Sequence, residues 1–340
     1  MVAVVATKKK PIGRRISPLY ETKHGRLLVG DSKELLTENR LSSYRGRVQL
    51  VFSSPPFPLN TKKRYGNLKG QDYVTWLASF APLLSELLTD DGSIVIELGN
   101  GWEPGTPTMS TLPLEALLAF KREGGLHLCQ EFICYNPARL PTPAQWVNVE
   151  RCRVKDAYTR LWWMSRTEKP KADNRAVLTS YSDSMAKLLE RGTYNSGKRP
   201  SQHDIGEESF LTDNGGAIPP NVFLPALEQL LPDFLSSLPA LHGLLSIANT
   251  ASNDPFQRYC RDHGLALHPA KMPQKLVEFF IRMLTDKNDI VFDPFAGSNT
   301  TGYIAEQLKR RWIGIEKDES YAKASKHRFA RSQRKKKTPT

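Results

Sequence analysis

Short apolar runs alternate along this chain with segments whose apolar residues recur every three or four positions. Residues 25–31 (Gly-Arg-Leu-Leu-Val-Gly-Asp) read as a strand, followed by a short helix to about residue 40. Val48-Gln49-Leu50-Val51-Phe52 is a second strand. In residues 73–88, Val74, Leu77, Ala78, Ala81 and Leu84 lie near helical spacing and predict an amphipathic helix. Asp90-Asp91-Gly92 then marks a turn into a strand at 93–98. A helix over 112–122 and strands over 130–135 and 158–164 continue the alternation, with Trp162 and Trp163 read as core. Leu276, Phe279, Phe280 and Met283 make the apolar stripe of a helix within 269–284. A strand at 289–293, a helix at 300–308 and a strand at 312–315 complete the pattern. Strands that alternate with helices predict an α/β fold: a doubly wound, mostly parallel sheet covered on both faces.

The pattern breaks between 167 and 265, where Pro, Gly, Ser and charged residues interrupt it. Ser201-Gln202-His203-Asp204 and Asp213-Asn214-Gly215-Gly216 are turn chemistry, and 224–245 is rich in Leu and Pro, which predicts short packed helices. Residues 1–24 form a basic arm and 329–340 a basic tail. The chain therefore divides into a first α/β half at 25–166, an inserted region at 167–265 and a second α/β half at 266–328.

Composition narrows the class. Of 340 residues, 39% are hydrophobic, enough for a substantial core, and the net charge of +13 favours a polyanionic partner. No apolar run reaches the ~18 residues of a spanning helix, so no membrane role is expected. The four cysteines, Cys129, Cys134, Cys152 and Cys260, form no CxxC pair, and the histidines lack zinc-site spacing. Buried reduced thiols, no structural metal and a cytoplasmic setting are the expectation. None of the cysteines follows a proline, which argues against a thiolate nucleophile of the cytosine-C5 kind.

Two turns carry the candidate chemistry. The strand at 48–52 stops at Ser53-Ser54-Pro55-Pro56-Phe57. Proline has no N–H and a fixed φ, and it forces its predecessor into an extended form, so this turn is stiff and its carbonyls cannot pair onward in a sheet. Rigid acceptors beside a flat ring suit a planar base with amino hydrogens, although the same four residues also describe an ordinary loop. Far downstream, Asp293-Pro294-Phe295-Ala296-Gly297-Ser298-Asn299-Thr300 joins a buried strand to a helix through a glycine turn. It has the form of a nucleotide-binding turn, without the G-x-G-x-x-G of dinucleotide sites or the Gly-Lys-Ser/Thr of a P-loop. Glu316 ends the next strand, about 20 residues on, where a carboxylate can accept both hydroxyls of a ribose.

Together, Ser54-Pro55-Pro56-Phe57 and Asp293-Pro-Phe-Ala-Gly-Ser-Asn-Thr-Thr-Gly302 resemble the motifs of DNA amino-methyltransferases that use S-adenosyl-L-methionine. The serine form of the Pro-Pro motif resembles the N4-cytosine branch, and the order of the two motifs matches the permuted beta class. The resemblance runs from about residue 25 to about 328 and includes Tyr65-Gly66-Asn67-Leu68, Arg153 to Ala157, Arg199 to Gly206, Asn214 to Asn221 and the segment 268–285. The extra stretch at 224–253 and the basic ends depart from it.

The resemblance implies a cytosine flipped from duplex DNA. The Ser54 hydroxyl and the Pro55 carbonyl would accept from its N4 amino group, Pro56 would stiffen the turn, and Phe57 would stack on the ring. It implies cofactor contacts from the whole 293–300 turn, from Glu316 at the ribose and from Asp31 at the adenine amino group, with Lys275 and the 268–275 loop as weaker candidates. It makes 167–265 the target-recognition region. Lys62, Lys63 and Arg64 in a basic loop, and Arg199, Ser201 and His203, are the candidate DNA contacts; arginine can read guanine. It also implies a nucleoid-associated bacterial enzyme and a cognate restriction endonuclease acting on the same site. The oligomeric state is not set by the sequence, with a monomer favoured. Three competing readings remain open here: adenine N6 methylation on the same scaffold, glutamine methylation (which typically uses an Asn-Pro-Pro motif), and a non-catalytic sequence-specific DNA-binding protein.

Overall fold

A computed structural model describes residues 17–58, 68–136, 139–224, 245–246, 254–269 and 272–329. The loop carrying Lys62, Lys63 and Arg64, both basic ends and most of 224–253 lie outside the described residues.

Among the described residues, ten strands make one sheet, in the spatial order Tyr20–Glu21, Gly25–Val29, Arg311–Glu316, Ile290–Asp293, Val48–Ser53, Leu88–Gly99, Tyr158–Ser165, His127–Tyr135, Val222–Leu224 and Leu245–Ser246. The five strands from Gly25–Val29 to Leu88–Gly99 are mutually parallel. Tyr158–Ser165 runs antiparallel to both of its neighbours. The parallel core takes strands from both ends of the sequence, so the two α/β halves interleave.

Alternate side chains of each strand enter opposite hydrophobic layers, as the period of two requires. Ile94, Ile96, Phe292, Ile313 and Ile315 pack with Tyr73, Leu77, Leu117 and Phe120 on one face. Leu50, Phe52, Val95, Val291 and Trp312 pack with Phe279, Phe280 and Ile304 on the other. Helices Gly70–Ala78 and Leu112–Glu123 thus cover one face, and Gln274–Leu284 and Thr300–Gln307 the other. This is the doubly wound architecture the pattern predicts. Trp162 and Trp163 are core, each with its indole N–H satisfied, by Glu131 and by Ser93 Oγ.

Three boundaries differ from the sequence reading. The helix expected over 73–88 is two, Gly70–Ala78 and Ala81–Ser85. Pro82 has no N–H to continue the first helix and sits in the opening turn of the second, where none is needed. The Asp90-Asp91-Gly92 turn is an irregularity inside a longer strand that begins at Leu88, between the pairs Val48↔Leu88 and Leu50↔Ser93. Gln49 bridges it, donating to the Asp91 carbonyl and accepting from Thr89. Finally, the inserted region is not wholly separate: its strand Val222–Leu224 joins the main sheet beside Ile133–Cys134, and Phe223 is buried against Phe132, Phe279 and Phe280.

Candidate active site

Strands Val48–Ser53 and Ile290–Asp293 are parallel neighbours, so both candidate turns leave the same edge of the sheet. Ser53 Oγ donates to Asp293 Oδ1 at 2.6 Å, joining positions 240 residues apart. A cavity of about 690 Å³ lies over this edge. Ser54, Pro55, Pro56 and Phe57 line it from the first turn, and Asp293, Pro294, Phe295, Ala296, Gly297, Ser298 and Thr300 from the second. Asp31 and Glu316, at the ends of adjacent strands, line it too. Open α/β sheets place ligands at such carboxyl ends.

Each carboxylate here is built in by hydrogen bonds. Asp293 is 5% exposed; Oδ1 also accepts from the Phe295 amide (3.0 Å) and Oδ2 from Thr301 Oγ1 (2.7 Å). Burial still pushes its carboxyl above the usual range, against these bonds. Glu316 accepts from the Gly297 amide (2.6 Å) and the Asp318 amide (2.8 Å). Burial raises its pKa, the two amides oppose this, and the nearby Asp293 and Asp318 charges reinforce it. Asp31 caps helix Ser32–Thr37 through the Lys33 and Glu34 amides and pairs with Lys317 at 2.9 Å. Partial burial works to raise its pKa, but the Lys317 bond and charge and the two amides outweigh it, so the net shift is down.

Gly297 has φ +52°, and a Cβ there would lie 3.0 Å from His268 Nε2, so the turn needs glycine both for its conformation and for the imidazole above it. His268 and Met272, from the loop before helix Gln274–Leu284, line the cavity. Trp76 and Phe80 form an aromatic wall with Phe295, at ring-centre distances of 5.7 and 5.2 Å.

Two expected cofactor residues fall outside the lining. Asn299 is fully buried in the left-handed region as the cap of helix Thr300–Gln307. Its Oδ1 accepts from the Gly302 amide and its Nδ2 donates to the Tyr20 hydroxyl, so it builds the turn from behind. Lys275 is exposed on the first turn of its helix, whose apolar stripe faces the core. Arg199, Ser201 and His203 sit at the tip of an exposed hairpin, Gly197–Lys198 with Asp204–Ile205, away from the cavity lining. The Arg199 guanidinium donates to the Asn195 carbonyl and lies 5.7 Å from the Tyr194 ring centre.

Glu97 is the residue the sequence reading passed over. It lies near the C-terminal end of the strand Leu88–Gly99, beside the Pro-Pro turn, is 9% exposed and lines the cavity. Its carboxylate accepts from Thr159 Oγ1 at 2.7 Å. Burial raises its pKa, and the Thr159 bond, the neighbouring Ser54 hydroxyl and the Arg139 charge oppose this. A lone carboxylate inside Ser-Ile-Val-Ile-Glu-Leu was the available signal.

The cavity of this +13 protein is thus acidic, with Asp31, Glu97, Asp293 and Glu316 in its lining. Its volume, aromatic wall and buried acceptors fit an S-adenosylmethionine, whose sulfonium is cationic and whose ribose donates two hydroxyls. Among the described residues, no group of His, Cys, Asp and Glu is arranged to hold a metal ion, and no helix is long and apolar enough to cross a membrane.

A parallel sheet with an acceptor turn and an acidic nucleotide turn over one cleft is the arrangement of an S-adenosylmethionine-dependent amino-methyltransferase. The chain belongs to the DNA methylase family of N6/N4 methyltransferases, which it matches over residues 48–327. It is 43% identical over 314 residues to the Type II methyltransferase M.PvuII of Proteus hauseri, covering 92% of this chain and 85% of that one. A solved structure of the cytosine-N4-specific PvuII DNA methyltransferase superposes with a TM-score of 0.68 at 36% identity, over 92% of this chain and 89% of that one. A shorter match, 43% over 62 residues, links 18% of this chain with 23% of the Type II methyltransferase M2.LlaDCHI of Lactococcus lactis subsp. cremoris.

Proposed function

We infer that this protein transfers the methyl group of S-adenosylmethionine to the exocyclic N4 amino group of a cytosine in a specific duplex DNA sequence. The observation that carries the site assignment is the Ser53–Asp293 hydrogen bond, which brings Ser54 and the 293–300 turn to one cavity. The serine of the Pro-Pro turn and the relationship to a cytosine-N4-specific enzyme favour cytosine over adenine.

S-adenosylmethionine, when bound, supplies an electrophilic methyl carbon. The protein's task is to present a poor nucleophile, an amino nitrogen whose lone pair is delocalised into the ring. The target leaves the stack at a cost of a few kcal/mol, and the Phe57 ring recovers about 1–3 kcal/mol by stacking on it. The Ser54 hydroxyl neighbours the Glu97 carboxylate, and with its proton turned toward Glu97 its oxygen is left to accept an amino N–H. The Pro55 carbonyl accepts the other. Both acceptors stand on a turn stiffened by prolines and by the Tyr73 hydroxyl bond to the Pro56 carbonyl (2.8 Å), so they need no rearrangement during the reaction. Glu316 takes the ribose hydroxyls, and Asp31 and the aromatic wall take the adenine end. Thr301 and Asn299 hold the turn that carries these contacts.

The basic net charge suits a duplex substrate, and the exposed Arg199–His203 hairpin tip is our candidate for reading it. A restriction endonuclease cutting the same sequence is the natural functional partner of such an activity. The test is to methylate a plasmid with the purified protein, hydrolyse it and identify the modified base. N4-methylcytosine at one short sequence is expected; N6-methyladenine would overturn the assignment.

The Glu316 carboxylate adds a pH signature. Burial raises its pKa, so in the free protein Glu316 holds its proton to higher pH than an ordinary carboxyl does. Hydroxyl donors favour the ionised form, so cofactor binding releases a proton, and affinity rises with pH through that window before levelling off. Calorimetry in buffers of different ionisation enthalpy should detect this proton, and Glu316→Gln should weaken binding and flatten the slope. An unchanged slope in that variant would assign the titration elsewhere.

A further inference from the structure

Among the described residues, the base end of the cavity is rich in acceptors and short of free donors. The Tyr73 hydroxyl is given to the Pro56 carbonyl, and the Ser54 hydroxyl neighbours the Glu97 carboxylate. A cytosine whose amino group lies at Ser54 and Pro55 presents N3 and O2 along the same edge, and both are acceptors. A buried acceptor left unpaired is destabilising, because it has given up its water and gained nothing in return.

Arg139 stands where a donor is needed. Gly99 ends the strand beside the Pro-Pro turn, and a Cβ on it would lie 2.8 Å from Cδ2 and Cε2 of Phe57 and 3.5 Å from Nη2 of Arg139. The bare glycine therefore lets the stacking ring and the guanidinium approach one another at the tip of the strand that carries Glu97. The guanidinium is anchored there: Nη1 donates to the Tyr158 carbonyl at 2.9 Å, and Lys155 Nζ donates to the Arg139 carbonyl at 3.3 Å. Its charge acts on the Glu97 carboxylate beside Ser54. One guanidinium nitrogen is thus tied to the scaffold, while Nη2 lies on the Gly99 side, where Phe57 also packs.

We propose that Arg139 reads the flipped base, its Nη2 donating to the O2 carbonyl of cytosine while Ser54 and Pro55 hold the amino group. The proposal rests on the base-holding role given to Ser54 above. An adenine presented by its amino group places a C–H where cytosine has O2, so it would leave the guanidinium unpaired. A site built to bond a group rejects an analogue lacking it far more strongly than an apolar pocket does. Arg139 thereby supplies a choice of cytosine over adenine that the Ser-Pro-Pro acceptors, which see only an amino group, cannot make.

The experiment uses a duplex whose target cytosine is replaced by a 2-aminopyridine C-nucleoside. This base keeps the amino group and ring nitrogen and lacks O2. Single-turnover methyl transfer is followed at mildly alkaline pH, where the ring nitrogen is unprotonated. Wild type should be slower on the analogue by about 100-fold, Arg139→Met should be slower on cytosine by a similar factor, and the two losses should not multiply. Equal wild-type rates on both bases would overturn the proposal without any variant. Losses that multiply would also overturn it, and would place Arg139 on a backbone phosphate, which a methylphosphonate at the target should then reproduce. Wild type that methylates adenine, not cytosine, would sink the proposed cytosine-N4 function itself, a result distinct from either.

Discussion

Replacing Ser54 with alanine is expected to slow single-turnover methyl transfer by about 10²–10³-fold, the usual loss when one preorganised hydrogen-bonding group is removed from a transition state. Duplex binding and cofactor binding should stay at wild-type levels. The reasoning is local. Ser54 is half-buried at the rim of the cavity, so the truncation opens no core space. Val48–Ser53 remains paired on both sides, and Pro55 and Pro56 keep the turn stiff. What is lost is an acceptor for one amino hydrogen and the hydroxyl that, beside the Thr159 bond, favours the charged form of Glu97. Glu97, keeping only Thr159, should then be still harder to ionise. Rapid-quench transfer of a labelled methyl group, alongside titrations of DNA and cofactor, separates chemistry from binding. A variant that turns over within about tenfold of wild type would remove Ser54 from the chemistry.

Asp293→Ala is expected to act on the whole site. Asp293 is where the two motifs meet: its carboxylate accepts from Ser53, Thr301 and the Phe295 amide, all within a buried space. Alanine leaves three donors without a partner and should cost about 3–5 kcal/mol of stability, the range for breaking a buried polar network. Loosening of the 293–300 turn should abolish measurable cofactor binding. Asp293→Asn should be much milder, because its amide oxygen still accepts and its NH₂ can donate to a hydroxyl that turns round. Denaturant unfolding of both variants checks this. An alanine variant that unfolds at the wild-type midpoint would mean that the junction contributes little to the fold.

The elements that sequence pattern located well are those whose neighbours do not matter. Strands 48–52 and 289–293 are dominated by apolar residues (Val48, Leu50, Val51 and Phe52; Ile290, Val291 and Phe292), as expected of strands covered on both faces. Gln274–Leu284 shows its stripe without help from the fold. The boundaries that moved did so through non-local contacts. The Asp-Asp-Gly turn was absorbed into a strand because Val48 and Leu50 pair on either side of it. Val222–Leu224 gave no strand signal of its own; it is a strand because the edge at Ile133 and Cys134 offers it partners and Phe223 finds an aromatic cluster.

The same division runs through the site. The chain's own order of residues determined the two turns, their chemistry and the class of reaction, because proline, glycine and strand-end acidic residues constrain the backbone within a few positions. Only the tertiary structure could decide which side chains face the cavity. Asn299 sits in the middle of the cofactor motif yet turns inward to cap a helix, and Lys275 points away with the polar face of its own. Glu97 lines the cavity, and Arg139 lies beside Gly99 near the Phe57 ring, from a strand and a loop that no motif marks. Their roles depend on distances between elements that are far apart in sequence, and such distances are set by the packing of the sheet.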